Sequence, residues 1–342
     1  MLRRGAATVL AAGLALAGCG GSSGPKLLGT GRPASYRITY QTKTTGPIAF
    51  QVLTARRPFD VRSATFAAPP HPGDTPTGGT LTNFDHLFVV RADGPHTVSG
   101  RQPAVGTADQ ALAPVMPEAV DRKLAKALGV RTVAGRRCRD YRFLEPPAGP
   151  LKALGKSDND VLCIDADGLV LREAYTFQGK VALVRTATSV EIDPAGIDAE
   201  LDTSKAVAVA DPSTPTATPT PDATSFIKPG PPAGFTAAPI TTFRLPTPGG
   251  NGVELLYTSV VWPFTRGADL ITVEAGDSPQ LPWDANDPSR PVTVPLGKGA
   301  SVVRSDGSEL RFDLGQGRWV RVRGTVPFAA LETYAKTLRV TG

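Results

Sequence analysis

The sequence predicts an α+β protein made of two antiparallel units, each a sheet with a helix laid against it, and three observations carry that expectation. Strand-type alternation opens the first unit: Tyr36, Ile38 and Tyr40 fall on one face, while Arg37, Thr39 and Gln41 fall on the other. Turn dipeptides, Asp167-Gly168 and Gln178-Gly179, separate apolar runs at hairpin positions where a positive φ is wanted. A tract from Asp211 to Pro232, with Pro-Ser-Thr-Pro-Thr-Ala-Thr-Pro-Thr-Pro at its centre, cannot build a core and favours extended chain, so it divides the protein in two.

The expected boundaries are a leader over 1–19, a stalk over 20–33, a first unit over 34–205, a linker over 206–235 and a second unit over 236–342. After the opening strand, further strands are expected at Ala49–Thr54, Leu87–Arg91, Cys138–Phe143, Val161–Ile164, Leu169–Phe177 and Val181–Glu191. One helix is expected over Pro117–Leu128, with Val120, Leu124, Ala127 and Leu128 at helical spacing and Gly129 as its C-cap; it would cover one sheet face. In the second unit, strands are expected near Val253–Val261, Leu270–Glu274, Ser301–Arg304, Glu309–Leu314 and Arg318–Gly324. Asp306-Gly307 and Gly315-Gln316-Gly317 would turn between them. A closing helix over Pro327–Leu338 carries the apolar stripe Phe328, Leu331, Ala335 and Leu338.

The first nineteen residues have the three parts of an export signal. Arg3 and Arg4 supply positive charge, Gly5–Ala17 is an apolar run too short to remain as a membrane span, and Leu16-Ala17-Gly18-Cys19 closes it. That tetrad resembles the lipobox of bacterial lipoproteins, which implies cleavage before Cys19, acylation of its thiol and a tether on the outer face of the cell membrane. The bland alternative is an ordinary secretory signal with an incidental Cys. Gly20–Pro33 has no periodicity and reads as a flexible stalk. The Ala-, Gly-, Pro- and Arg-rich, Lys-poor composition fits a high-GC, actinobacterial source.

The chain has three Cys, and setting Cys19 aside leaves Cys138 and Cys163 in a compartment that permits disulfides; they are expected to pair. Closing that loop would be worth about 3 kcal/mol. A metal pair or a redox couple fits poorly, because there is no Cys-x-x-Cys and His71, His86 and His96 show no ligand spacing. Net charge is +6 for the full chain, less the two arginines of the leader in the mature form. Its densest basic stretch is Arg131, Arg136, Arg137, Arg139 and Arg142, either a patch for anionic headgroups or cell-wall polymers or a solvated strand face. Export excludes nucleic acid as a partner, and no binding motif argues otherwise.

Catalytic motifs occur only by coincidence. Ser225-Phe226-Ile227-Lys228 and Ser157-Asp158-Asn159 match two motifs of penicillin-recognising enzymes in the wrong order, with no Lys-Thr-Gly after them. Gly29-Thr30-Gly31-Arg32-Pro33-Ala34 matches a dinucleotide fingerprint by letters but sits in the stalk. Asp158, Asp160, Asp165 and Asp167 read as loop and hairpin residues. The expectation is a protein without catalytic residues, metal or cofactor.

The segment Tyr36–Val190, with its Arg-Cys-Arg-Asp-Tyr-Arg-Phe strand and the run Val-Leu-Cys-Ile-Asp-Ala-Asp-Gly-Leu-Val-Leu-Arg, resembles the LolA-like lipoprotein fold. That superfamily includes lipoprotein carriers, RseB-like envelope-stress regulators and lipid-binding lipoproteins. The closing Trp319-Val320-Arg321-Val322-Arg323-Gly324 and its Pro-led helix are similar to the small domain of RseB-like proteins. The resemblance implies a curved antiparallel half-barrel with a covering helix around an apolar cavity, plus a small antiparallel α+β sensor-type domain. An anchored chain departs from the soluble carriers. On this resemblance the leading expectation is a binding module for a hydrophobic or lipidated ligand, with Tyr36, Ile38, Tyr40, Phe50, Val52, Tyr141, Phe143, Tyr175 and Phe177 as the candidate inner face. Such residues are also what a plain core is made of. The alternative expectation is an envelope regulator that binds an anti-sigma factor or another envelope protein.

Overall fold

The computed structural model describes residues 33–84, 86–92, 96–101, 112–143, 157–177, 180–208, 226–248, 254–277, 283, 289–304 and 307–340. The leader, Cys19, the stalk up to residue 32, the centre of the Pro/Thr tract, the Gln178-Gly179 turn, Asp306 and the Phe177 side chain lie outside the described residues.

The first sheet is built from β1 (Ser35–Lys43), β2 (Ala49–Arg56), β3 (Asp60–Phe66), β4 (Gly78–Asn83), β5 (His86–Val90), β6 (Thr97–Arg101), β7 (Ala125–Val133), β8 (Arg136–Phe143), β9 (Ser157–Asp165), β10 (Val170–Phe177), β11 (Lys180–Ile192) and β12 (Val207–Ala208). Its strand order is β12-β6-β5-β4-β3-β2-β1-β11-β10-β9-β8-β7. Only the β12–β6 pair is parallel among these ladders. The second sheet contains β13 (Thr236–Ala237), β14 (Thr241–Pro248), β15 (Glu254–Arg266), β16 (Asp269–Asp277), β17 (Arg290–Val294), β18 (Gly297–Arg304), β19 (Gly307–Gly315) and β20 (Arg318–Gly324), in the order β13-β15-β16-β20-β19-β18-β17 with β14 also on β15. Helices are confined among the described residues to α1 (Leu112–Asp121), α2 (Ile197–Glu200) and α3 (Phe328–Ala335). The chain is therefore mainly β, where an α+β balance was expected.

The expected helix over Pro117–Leu128 is displaced. It runs over Leu112–Asp121 with Pro117 inside it, and the residues expected to complete it enter β7. Lys123, at φ 58, takes the left-handed position at the helix end, with Leu124 N–H donating to Ala119 O and Lys123 N–H to Val120 O. That pattern stops a helix wherever it forms, and here it forms around a Lys where Gly is usual. Gly129 is no cap; it falls with Leu128 where the β7–β8 register slips, a bulge between Ala127 and Val130.

Several strands were not expected from the sequence. β3 alternates Ser, Thr and Arg with few large apolar side chains, and β14 contains Pro246 and Pro248, which its edge position tolerates. Where β4 presses on β3, Gly79 has φ +148 and an added Cβ would stand 2.0 Å from Ser63 O, so only Gly fits.

The first sheet curls. β7 and β11 stand four strands apart, about 19 Å in a flat sheet at usual strand spacing, yet their Cα atoms approach within 8 Å. The concave side this creates is filled by Tyr36, Ile38, Tyr40, Leu53, Val133, Leu169 and Leu171, packed around the Cys138–Cys163 disulfide. The bridge is diagonal on neighbouring strands, since Cys138 pairs with Asp165 and Cys163 with Asp140 across the β8–β9 ladder. Its sequence separation is 25. Replacing Cys138 by Ser is expected to lower unfolding free energy by about 3 kcal/mol, read as an unfolding midpoint shift in urea that reductant also produces in the parent.

On the opposite face, Tyr141, Phe143, Leu162, Ile164 and Val170 meet Val115, Met116 and Ala119 of α1, and this cluster continues into Val273, Leu310, Val322 and Phe328 of the second unit. The two units thus share one buried cluster. Polar contacts fasten the same joint: Glu118 Oε2 accepts from the Ala329 N–H at 3.0 Å, and Arg122 pairs with Glu332 at 2.7 Å and lies over the Phe328 ring at 4.7 Å. Arg290 donates to the carbonyls of Arg122 and Lys123 at 2.7 and 3.1 Å. A carboxylate from the first unit therefore satisfies an orphan N–H at the start of α3, whose own N-cap, Pro327, supplies no side-chain bond. The expected linker over 206–235 is structured at its ends, where Val207–Ala208 extend the first sheet and Ile227 bridges to Val340.

Candidate functional site

The candidate inner-face residues do not share one face. Tyr36, Ile38 and Tyr40 are fully buried in the concave cluster, and alternation places Tyr175 on the side of Leu171. Tyr40 Oη donates to Val170 O at 2.6 Å and Arg185 stands over its ring at 4.5 Å. Phe50 and Val52 pair with Gln41 and Thr39, on the opposite face. Tyr141 and Phe143 alternate with Cys138 and Asp140, so they point into the cluster shared with the second unit. Burial pushes the Tyr141 hydroxyl up, with Arg139 partly offsetting it. The concave aromatics are packed against one another and against the disulfide. Bulges at Thr188 of β11, opposite Thr39 and Tyr40, and at Leu171 of β10 shift the pairing in ways that alternation alone cannot follow.

Open apolar space is found instead in the second unit. A groove of about 700 Å³ lies between α3 and the 230–235 turn, walled by Pro231, Pro232, Phe235, Ile271, Ala330 and Tyr334. The sequence builds both walls. Pro327 starts α3, which buries Phe328, Leu331, Tyr334 and Ala335 and leaves Ala330 outward. On the other side Gly234, at φ +77, lets Phe235 N–H return to Pro232 O at 2.9 Å. Tyr334 Oη donates to Gly230 O at 2.8 Å and ties the walls together; burial pushes its hydroxyl up. Its other polar linings are also engaged within the protein: Thr333 donates to Ala329 O, Thr337 to Tyr334 O, and Arg266 pairs with Asp269 and covers Phe235. What the groove presents is therefore apolar area.

The second sheet carries a buried ionic layer on the face opposite its apolar cluster. Arg321 binds Glu274 at 2.5 Å, Arg323 approaches Glu309 at 2.9 Å, and Arg311 bonds Glu309. Arg321 also lies 5.3 Å from the Trp319 ring centre, and Trp319 meets Trp283 edge to face. Burial pushes the Glu309 carboxyl up, but the charges of Arg323, Arg311 and Arg321, with the Arg311 hydrogen bond, outweigh it and hold the group at about 2. The sequence signal for this layer was the alternation Trp319, Arg321, Arg323 against Val320 and Val322.

Two arginines of the basic stretch are held in ion pairs: Arg131 bonds Asp140, and Arg136 binds Asp165 at 2.7 Å and Asp167 at 2.5 Å. Asp165 also accepts from the Asp167 and Leu169 N–H groups at 2.9 Å, so it organises the hairpin. Among the described residues no cluster of three or more His, Cys, Asp or Glu could hold a metal, and no helix is long and apolar enough to cross a membrane.

No family model matches the chain, and no curated protein does. Among solved structures, a crystal structure of MucB aligns over 90% of this chain and 93% of its own at 17% identity, with a TM-score of 0.30. The structure of MucB in complex with MucA(peri) aligns over 91% and 94% at 15% identity and TM-score 0.29. The Pseudomonas aeruginosa MucA/MucB complex aligns over 90% and 94% at 16% and 0.30.

Proposed function

We propose that this chain is an extracytoplasmic binding protein, tethered to the outer face of the cell membrane through acylated Cys19, that holds a hydrophobic or lipidated ligand. The observation that carries the reading is the groove beside α3: about 700 Å³, with its polar linings engaged within the protein. A volume of that order suits a small ligand, and an acyl chain entering it gains about 0.8 kcal/mol per buried methylene. The concave side of the first sheet, filled by Tyr36, Ile38 and Tyr40, acts in this reading as scaffold.

Native mass spectrometry of the chain purified from a membrane-containing host tests it. A discrete lipid-sized extra mass, lost on denaturation, is expected. Ala330→Trp places a large ring on an outward position of α3 and is expected to abolish that mass while leaving the unfolding midpoint within a few degrees. A parent protein that is empty after purification and takes up no added lipid would refute the reading.

An envelope protein partner, such as an anti-sigma factor, is the second reading. The observation that favours it is the α1–α3 joint, where Glu118 and Arg122 link the two units and give a partner on one unit a route to the other. Crosslinking in native membranes that recovers one protein reproducibly would support it, and recovery of none would count against it.

A further inference from the structure

We propose that a second pocket, on the outer face of the first sheet between Arg62 and the 70–74 loop, binds an amphipathic anion: a carboxylate or phosphate head on an apolar chain. This site is separate from the groove beside α3 and stands or falls independently of it. Strand register brings it together. Arg37 pairs with Thr54, and Thr54 with Arg62; Thr39 pairs with Val52, and Val52 with Ala64, so Arg37, Thr39, Val52 and Arg62 share one face. That face is roofed by the segment carrying α2, whose Ile197 and Leu201 pack on Leu81, Phe88 and Val90, and the 70–74 loop closes the side. The enclosed space is about 500 Å³.

Arg62 is the charged group of this pocket least engaged by the described residues. Its side chain is 14% exposed, and its ion-pair partner among the described residues, Glu200 Oε2, stands at 3.8 Å, beyond hydrogen-bonding distance. Both oxygens of Glu200 are engaged elsewhere, one by Arg37 and the other by Thr54 Oγ1 at 2.6 Å. Arg37 is occupied in turn by Glu200, Glu191 and the Ala195 carbonyl. Three carboxylates line the pocket, but Glu191 is 51% exposed at the rim and Asp74, exposed on the loop, accepts from the His71 N–H at 2.7 Å, so the inner wall itself sets Arg37 and Arg62 against Glu200. Burial and the charge of Arg62 push the neighbouring His96 down, with Asp202 opposing, so His96 adds no charge at neutral pH; its Nδ1 is buried without a hydrogen-bond partner. Arg62 thus faces the pocket with no hydrogen bond to the protein among the described residues, and its planar fork matches two oxygens of a carboxylate or phosphate. Val52, Phe66, Pro70 and Pro72 flank it with apolar surface for the chain that would follow such a head.

The test uses the whole chain downstream of the leader with Cys19→Ser, so that no acyl group of its own competes. Calorimetric titration with dodecanoate, dodecyl phosphate and dodecanol below their micelle concentrations is expected to show one site at least tenfold tighter for both anions than for the alcohol. Arg62→Gln is expected to erase that preference, and Arg62→Lys to keep part of it. Should Arg62→Gln unfold, a diazirine-bearing dodecanoate decides on the parent protein: label on 66–74 upholds the site. Label confined to 329–337 overturns it while leaving the groove reading intact, and dodecanol binding as tightly as dodecanoate overturns it as well. Cosedimentation with phosphatidylglycerol but not phosphatidylcholine vesicles, competed by dodecanoate, assigns the head to a lipid; anion binding without it assigns a free acid.

Discussion

Glu309→Ala is expected to destabilise the second unit by about 3–5 kcal/mol, because it leaves the buried Arg311 and the half-buried Arg323 without their carboxylate. Glu309 is 2% exposed and Arg311 4%, so water cannot replace the lost partner. The same group predicts an acid response. Its carboxyl is held at about 2, against 4.5 ordinarily, so the folded state binds its proton more weakly than the unfolded state does. The stabilisation, about 3 kcal/mol for a depression of that size, is complete above pH 4.5 and disappears as pH falls from 4.5 towards 2. Urea unfolding at pH 7 and pH 3 measures both effects. The parent is expected to lose most of that increment at pH 3, while the variant has little left to lose from this position. A variant within 1 kcal/mol of the parent at pH 7 would mean that the ionic layer is hydrated in solution.

Tyr40→Ala is expected to cost about 3–5 kcal/mol, the range for removing a wholly buried aromatic ring. The residue loses its packing against the concave cluster, its 2.6 Å bond to the Val170 carbonyl and the Arg185 contact over its ring. This variant also separates the two readings of the concave side. A core Tyr40 gives a large loss of stability with ligand binding unchanged wherever the fold persists. A ligand-lining Tyr40 gives a small loss of stability and a large loss of binding. The unfolding midpoint and the native mass spectrum of one preparation answer both questions.

The α1–α3 joint ties the two units together. The apolar faces of α1 and α3 would be unsatisfied if the units separated, since Val115, Met116 and Ala119 on one side and Phe328 and Leu331 on the other belong to one buried cluster. Glu118 and Arg122 then set register between the units.

The periodic features were legible in the sequence: the alternation of β1, the strands β8 to β11, the Asp167-Gly168 turn and the closing helix. These are local, because side-chain alternation, turn chemistry and core-forming composition act within about ten residues. Tertiary structure alone decided the rest. β3 and β14 exist because neighbouring strands supply ladder partners to segments that lack a strong apolar pattern. α1 ends where a Lys adopts a left-handed conformation, and the segment after it is claimed by β8. Which face each aromatic meets depends on strand register: Phe50 pairs with Gln41 and not with Tyr40, and Tyr141 and Phe143 alternate with Cys138, so one residue of offset decides the face. Both pockets are assembled from segments distant in the chain, 230–235 against α3 and 62–74 against 191–200, and no window of sequence contains either.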